Sequence, residues 1–322
     1  MKWIAVITIS LLSTFNTLIL KSIQKRYINN RTDFFIFIFY LNFFQSIGLL
    51  AIPPYTKLSF FKESLYLGIA YGVTILVYYL FMMLALSAGP LVLTNSVLAL
   101  YPLIPIFYGL LFWQETLSIL IIIGLALFIY SIFNLTNATY YDQKTEKKIE
   151  LRWLIFVLIA FLCSGATSVF AKQHAIIRPD NSREYLLVCR WVNMLISGLL
   201  CLIARKKCAA VSHKKQSEKM YFSVLSTDKE RTQCSSHLDI FNPNKIFLLF
   251  CFLNGVLMAI ANTIFMQVVT RYASAFFFPT TQALSIIFTF FFSRIIFKEF
   301  LSKEALKGYI LIIAAVILIS IG

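Results

Sequence analysis

Residues 115–138, ETLSILIIIGLALFIYSIFNLTNA, decide the reading of this chain when set beside residues 299–322, EFLSKEALKGYILIIAAVILISIG. Each stretch opens on a Glu, places Leu-Ser two and three residues later, and reaches a Gly nine residues on (Gly124 and Gly308). Each then continues as an apolar run long enough to cross a bilayer, which takes about 20 residues as a helix. The two match at an offset of 184 residues. Earlier in the chain, Trp3 matches Trp153 and Gly48-Leu49-Leu50 matches Gly198-Leu199-Leu200, both at an offset of 150. The difference of 34 residues falls in one place, because residues 53–63 join the second and third apolar runs whereas residues 205–244 join the seventh and eighth.

Working outward, apolar runs of spanning length occur near 3–21, 34–52, 64–87, 91–113, 118–138, 153–172, 185–204, 245–270, 273–297 and 304–322. Barrel strands would be about half as long and would alternate with polar residues. The pattern therefore predicts an all-α membrane protein with ten transmembrane helices. Residues 1–140 form one five-helix repeat and residues 141–322 a second, with an inserted polar loop at about 205–244 that is expected to be mobile. Five is odd, so the second half enters the membrane with opposite polarity, giving two inverted repeats. Gly89-Pro90 separates the third and fourth runs. The first run, flanked by Lys21, Lys25 and Arg26 and followed by no small-residue cleavage pattern, reads as a span and not a signal peptide.

Composition agrees. The 322 residues are 59% hydrophobic and 13% charged, with mean hydropathy +0.79, where soluble domains carry charge at about a quarter of positions. All 14 acidic residues fall at run ends or in connections, as the cost of a carboxylate in hydrocarbon requires. The net charge of +15 does not point to nucleic acid, because the basic residues sit in connections, where they serve orientation and anionic headgroups. The six cysteines show no paired spacing, and most lie in or beside apolar runs.

These residues carry a family resemblance. The chain resembles the drug/metabolite transporter superfamily, and in particular the EamA-type permeases, whose repeats end in a helix, a Glu-x-Leu-Ser exit and a final glycine-bearing helix. Pro102 and Pro105 in the fourth run fit as well, with Ile286 and Thr289 at the matching places of the ninth. The resemblance covers nearly the whole chain. It implies substrates as varied as amino acids, nucleotide sugars, phosphorylated sugars, purines, lipid-linked intermediates and drugs, and it implies that the first, third and fourth helices of each half surround the substrate.

Charge predicts orientation. The connections after the first, fifth, seventh and ninth runs hold 21 Lys and Arg. The opposite face holds 7 (Lys2, Lys57, Lys62, Lys172, Arg178, Arg183 and Arg271), and Arg190 lies within a run. Positive residues stay cytoplasmic, which places both termini outside the cytoplasm. The resemblance implies the reverse, and the charge count is the expectation carried forward.

Arg190 is the leading functional candidate. An arginine inside a span faces a cavity or a partner, and Asn193 and Ser197 share its helical stripe at i+3 and i+7. The competing reading is a structural arginine that reaches the nearer surface or pairs with Glu184. Polar stripes also mark the first run (Ser13, Asn16, Thr17), the third (Tyr71, Thr74, Tyr78), the fourth (Thr94, Tyr101, Tyr108), the eighth (Asn254, Asn262) and the ninth (Gln282, Ser285, Thr289). Polar groups in lipid must find partners, and so many stripes argue for a wet central cavity. With the helices that the resemblance assigns to the substrate, the predicted substrate-binding set is Arg190, Asn16, Tyr78, Tyr101, Asn193, Asn262 and Gln282. Glu115 and Glu299 read as polar residues starting the turn into the next helix, near the membrane surface, with gating or proton coupling as the alternative.

The expected function is a secondary transporter that moves a small polar or amphipathic metabolite by alternating access in the plasma or inner membrane. It is expected to have no catalytic residues, metal or cofactor. Its partners are the small-molecule substrate and the lipid bilayer, and a homodimer is compatible with this plan. No run carries a central carboxylate, so exchange or facilitated diffusion is favoured over proton antiport. The alternatives are a lipid-carrier flippase component and a membrane-embedded enzyme. No GxSxG, phosphate loop or metal-spaced histidine pattern supports the enzyme reading.

Overall fold

The computed structural model describes residues 2–28, 31–53, 58–88, 91–143, 151–218, 243–297 and 303–321. Among them the chain is all-helical, with no strand. Helices fall on each of the ten apolar runs: α1 (Lys2–Tyr27), α2 (Arg31–Ala51), α3 (Lys62–Ala88), α4 (Leu91–Ala99) with α5 (Leu103–Phe112), α6 (Ile119–Gln143), α7 (Leu151–Ile177), α8 (Ser182–Glu218), α9 (Lys245–Val268), α10 (Ser274–Phe297) and α11 (Lys303–Ile321). A 3-10 turn at Pro179–Asn181 joins α7 to α8. Five helical segments are long and apolar enough to cross a membrane: Thr32–Ala51, Lys62–Leu86, Leu151–Ile177, Pro179–Ala204 and Lys245–Val268. Helix α8 runs to Glu218, so the first part of the segment expected to be unpatterned is helical. Residues 219–242, Gly89-Pro90 and Glu299 lie outside the described residues.

The fourth apolar run is two helices, and proline chemistry explains the break. Pro102 and Pro105 have no N–H to give to the carbonyls one turn back, and a proline ring crowds the preceding turn. The Leu100 and Tyr101 N–H groups accordingly donate to Val97 and Leu98 carbonyls at 3.1 Å, one residue short of α-helical spacing. The Tyr101 carbonyl that Pro105 cannot serve accepts from the Ile104 N–H at 3.1 Å. The ninth run, with Ile286 and Thr289 at the matching places, forms the unbroken helix α10, although it carries Pro279 near its start.

The chain forms two compact units. Unit 1 comprises residues 1–15, 57–189 and 261–322; unit 2 comprises residues 16–56 and 190–260. Each draws on both sequence halves. Unit 1 is organised by packing of α6 against α11 and of α3 against α7, with α5 lying on α7 and α10. One core gathers Phe128, Ile132, Ala283, Ile312 and Ala315; a second gathers Ala85, Leu98, Trp153 and Val157; a third gathers Ile106, Ile121, Leu125, Ala275 and Ile319. Backbones approach closely where glycine permits. A Cβ at Gly124 would lie 2.6 Å from Ile319 Cγ1, and one at Gly165 would lie 2.2 Å from Ile104 Cδ1. In unit 2, a Cβ at Gly48 would meet that of Ala259 at 2.8 Å and one at Gly255 would meet that of Phe44 at 2.7 Å, while Tyr27, Phe37 and Tyr40 ring Phe247. Small residues at contacts are what helix association in lipid uses, since lipid tails are as apolar as leucine.

Large apolar side chains cover the exterior, while several charged or titratable ones are buried. Ile119, Leu111 and Leu151 are 76%, 75% and 72% exposed, whereas Lys172, Arg190 and His174 are 3%, 5% and 0% exposed. Apolar exteriors over buried charge suit a lipid solvent.

Candidate functional site

The break in the fourth run positions the first cluster, which lies in unit 1. Tyr101 sits in the turn between α4 and α5. Tyr78 and Tyr101 are close enough to interact electrostatically, as are Tyr101 and Tyr71, and the Tyr78 and Tyr79 rings are 5.2 Å apart. Tyr78 also packs on the Trp153 core. Tyr71 and Tyr78 of α3 thus lie within electrostatic range of Tyr101, where the backbone departs from regular helix. Phenol rings offer an apolar face together with a hydroxyl donor and acceptor, a combination suited to amphipathic ligands.

The second cluster lies at the far end of α5 and was not foreseen. Trp113 and Glu115 both donate their N–H groups to the Gly109 carbonyl, at 3.0 and 3.1 Å, and Gln114 between them takes the left-handed conformation with φ 54. This turn folds Glu115 back over α5, where a Cβ at Gly109 would lie 2.6 Å from Glu115 Oε2. The carboxylate meets Lys172 of α7, whose Nζ donates to Glu115 Oε1 at 2.5 Å, to Ser274 Oγ at 2.9 Å and to the Tyr272 carbonyl at 3.1 Å. Ser274, the first residue of α10, donates its N–H to Glu115 Oε2 at 2.8 Å and its hydroxyl to Oε1 at 3.1 Å. A carboxylate accepting from a helix's first N–H is also favoured by the helix dipole. Lys172 lies 4.8 Å over the Trp113 ring, and Trp113 Nε1 donates to Gln173 Oε1 at 2.8 Å. The ammonium therefore has three acceptors and an aromatic face, and the carboxylate has three donors. Complete satisfaction of this kind is what allows a buried pair to persist.

A third cluster joins the start of α3 to the α7–α8 corner. Ser64 Oγ donates to Asn181 Oδ1 at 2.6 Å and lies 2.8 Å from His174 Nε2. Its single proton goes to Asn181, so His174 donates from Nε2. Asn181 Nδ2 donates to the Ser59 carbonyl at 2.8 Å, and the His174 ring stacks on Tyr185 at 4.2 Å. Glu184 accepts from the Ser59 N–H at 3.4 Å and stands 4.0 Å from Arg183.

The substrate residues predicted from sequence are divided between the units. Tyr78, Tyr101, Asn262 and Gln282 are half-buried in unit 1. Asn16, Arg190 and Asn193 belong to unit 2, where Asn16 gives its carbonyl to Asn254 Nδ2 at 3.3 Å and the Arg190–Asn193–Ser197 stripe is buried along its whole length. Of the set, Tyr78 and Tyr101 come together. Of the hydroxyls in the predicted stripes, Thr74 donates to the Ala70 carbonyl within its own helix at 2.7 Å. Ser10, Thr14 and Thr281, outside those stripes, bond the Val6, Ser10 and Phe277 carbonyls in the same way. Lys172 was legible only as the last residue of an apolar run, where charge is ordinary. Its separation from Glu115 by two helices hid the pair.

No family model matches this chain, and no curated protein matches it. Solved structures do: 28 chains match. One of them, the crystal structure of a protein, agrees with a TM-score of 0.63 at 13% identity, over 98% of this chain and 96% of that one. Agreement over almost the full length of both chains shows a shared fold.

Proposed function

We propose that the chain is a multi-pass transporter of the drug/metabolite type, moving a small polar or amphipathic metabolite by alternating access across a cell membrane. The observation that carries this reading is the interrupted apolar helix α4–α5, with Tyr101 in its break and Tyr71 and Tyr78 of α3 within electrostatic range. Broken helices are tolerated at membrane depth where they line a cavity, and transporters bind substrate at such breaks.

Two packing features support the inverted repeat that alternating access uses. Under the repeat, the pairing of α3 with α7 corresponds to α9 against α1, and those two helices touch at Asn254–Asn16 and Phe247–Tyr27. Gly48 and Gly198, matched at an offset of 150 in sequence, both sit at helix contacts within unit 2.

The test is a thermal-shift screen of the purified protein against amino acids, nucleosides, nucleotides, phosphorylated sugars and nucleotide sugars. One class should raise Tm, since ligand at 100 times Kd stabilises by about 2.7 kcal/mol. Tyr78→Phe and Tyr101→Phe should remove that shift while leaving the unliganded Tm within a few degrees. A shift that survives both substitutions would move the site elsewhere.

A further inference from the structure

The ion pair and the helix break lie at opposite ends of one short helix. Helix α5 is bounded at Leu100–Pro102 by the 3-10-spaced break and at Trp113–Glu115 by the left-handed turn. It lies along α7, where Gly165 and Lys172 are seven residues apart and so share one face. Gly165 receives Ile104 at the start of α5, and Lys172 receives Glu115 just beyond its end. The Glu115 carboxylate rests against Gly109 of α5, so it travels with that helix.

We propose that α5 is a gate, hinged at Leu100–Pro102 and latched by the Glu115–Lys172 pair to α7 and to the start of α10. The hinge end has soft i to i−3 bonds and two prolines, which let it absorb a change of direction. The latch end has every polar group satisfied, which gives one well-defined closed position. Opening separates carboxylate from ammonium and takes Glu115 away from the Ser274 N–H in the same movement, so α5 leaves α7 and α10 together. The tyrosines at the hinge then sense the position of the latch through one rigid rod of about three turns, or about 15 Å. The gate rests on the transport reading above, in which one face of unit 1 must open.

The experiment uses a reporter cysteine at Leu110, which is half-buried on α5 against the Ile106–Ala275 core. The six native cysteines are replaced by alanine, and the full chain is held in nanodiscs so that reagent reaches both faces. A control cysteine at Ile132, in the α6–α11 core, reports general loosening. Lys172→Met combined with Glu115→Gln should raise maleimide labelling at position 110 by roughly tenfold, a modest shift of a two-state equilibrium, and leave position 132 unchanged. An unchanged rate at 110 overturns the latch, and so does an equal rise at both positions. Should the neutral pair fail to fold, Pro102→Ala with Pro105→Ala decides the matter, because straightening the hinge should slow labelling at 110 and an unchanged rate overturns the gate. No substrate is present in these assays. A parent protein that moves no metabolite while labelling follows the pair would sink the transport reading alone; transport with indifferent labelling would sink only the gate.

Discussion

Removing Lys172 should harm the protein far more than removing both Lys172 and Glu115. The Lys172 and Glu115 side chains are 4% and 14% exposed within unit 1 and are held at 2.5 Å. At an effective dielectric of about 20, unit charges that close attract by roughly 6–7 kcal/mol before desolvation. Taking the two ions out of water costs several kcal/mol each, so little of that attraction survives as net stability. The asymmetry lies in the single variants. Lys172→Met leaves a carboxylate buried with only the two Ser274 donors and should cost about 3–5 kcal/mol. Glu115→Gln leaves the ammonium with Tyr272 O and Ser274 Oγ and should cost somewhat less, about 2–3 kcal/mol. The double variant should fall within about 1.5 kcal/mol of the parent, giving a coupling of about 3 kcal/mol or more. Unfolding by SDS titration in mixed micelles, followed through tryptophan fluorescence with Trp113 beside the pair, measures all four proteins. Single effects that simply add, with a coupling under about 0.5 kcal/mol, would show that the pair is not an energetic unit.

Gly165→Ala should destabilise by about 1–3 kcal/mol through overpacking against Ile104, read in the same titration, and Ile104→Val in that background should recover part of the loss. Arg190→Lys should weaken binding of an anionic ligand by roughly tenfold with Tm unchanged; Arg190→Leu should abolish that binding, and normal transport by Arg190→Leu would remove the residue from the site. Cysteines placed in the 139–150 connection should resist impermeant thiol reagents outside intact cells while cysteines beyond Ser320 react, and the opposite pattern would refute the charge-based orientation.

The helices were legible because a long apolar run is a local signal, and each of the ten runs carries helix among the described residues. The break at Leu100–Pro102 was not anticipated within the 91–113 run, although Pro102 and Pro105, which act within a turn of themselves, made it legible. The Glu115–Lys172 pair was not, because nothing local to residue 115 or 172 distinguishes an interface charge from a buried one, and the two meet only through packing of α5 on α7. Thr74 looks like an unsatisfied polar group in sequence, yet its hydroxyl bonds the Ala70 carbonyl four residues back. Matched residues can also part company, as Trp153 is buried and donates to Thr94 Oγ1 at 2.9 Å while Trp3 is 39% exposed against Phe276. A repeat in sequence thus predicts equivalent helices better than it predicts equivalent side chains.

Transport itself is tested most directly by flux. Proteoliposomes loaded with a defined mixture of amino acids, nucleosides, nucleotides and phosphorylated sugars are diluted into buffer, and the released metabolites are identified by mass spectrometry. At least one small polar metabolite should leave faster than from protein-free vesicles, and should do so faster still when the same compound is supplied outside, with both effects lost in Tyr101→Phe. Release of every compound at the protein-free rate, from vesicles holding folded protein, would contradict the account.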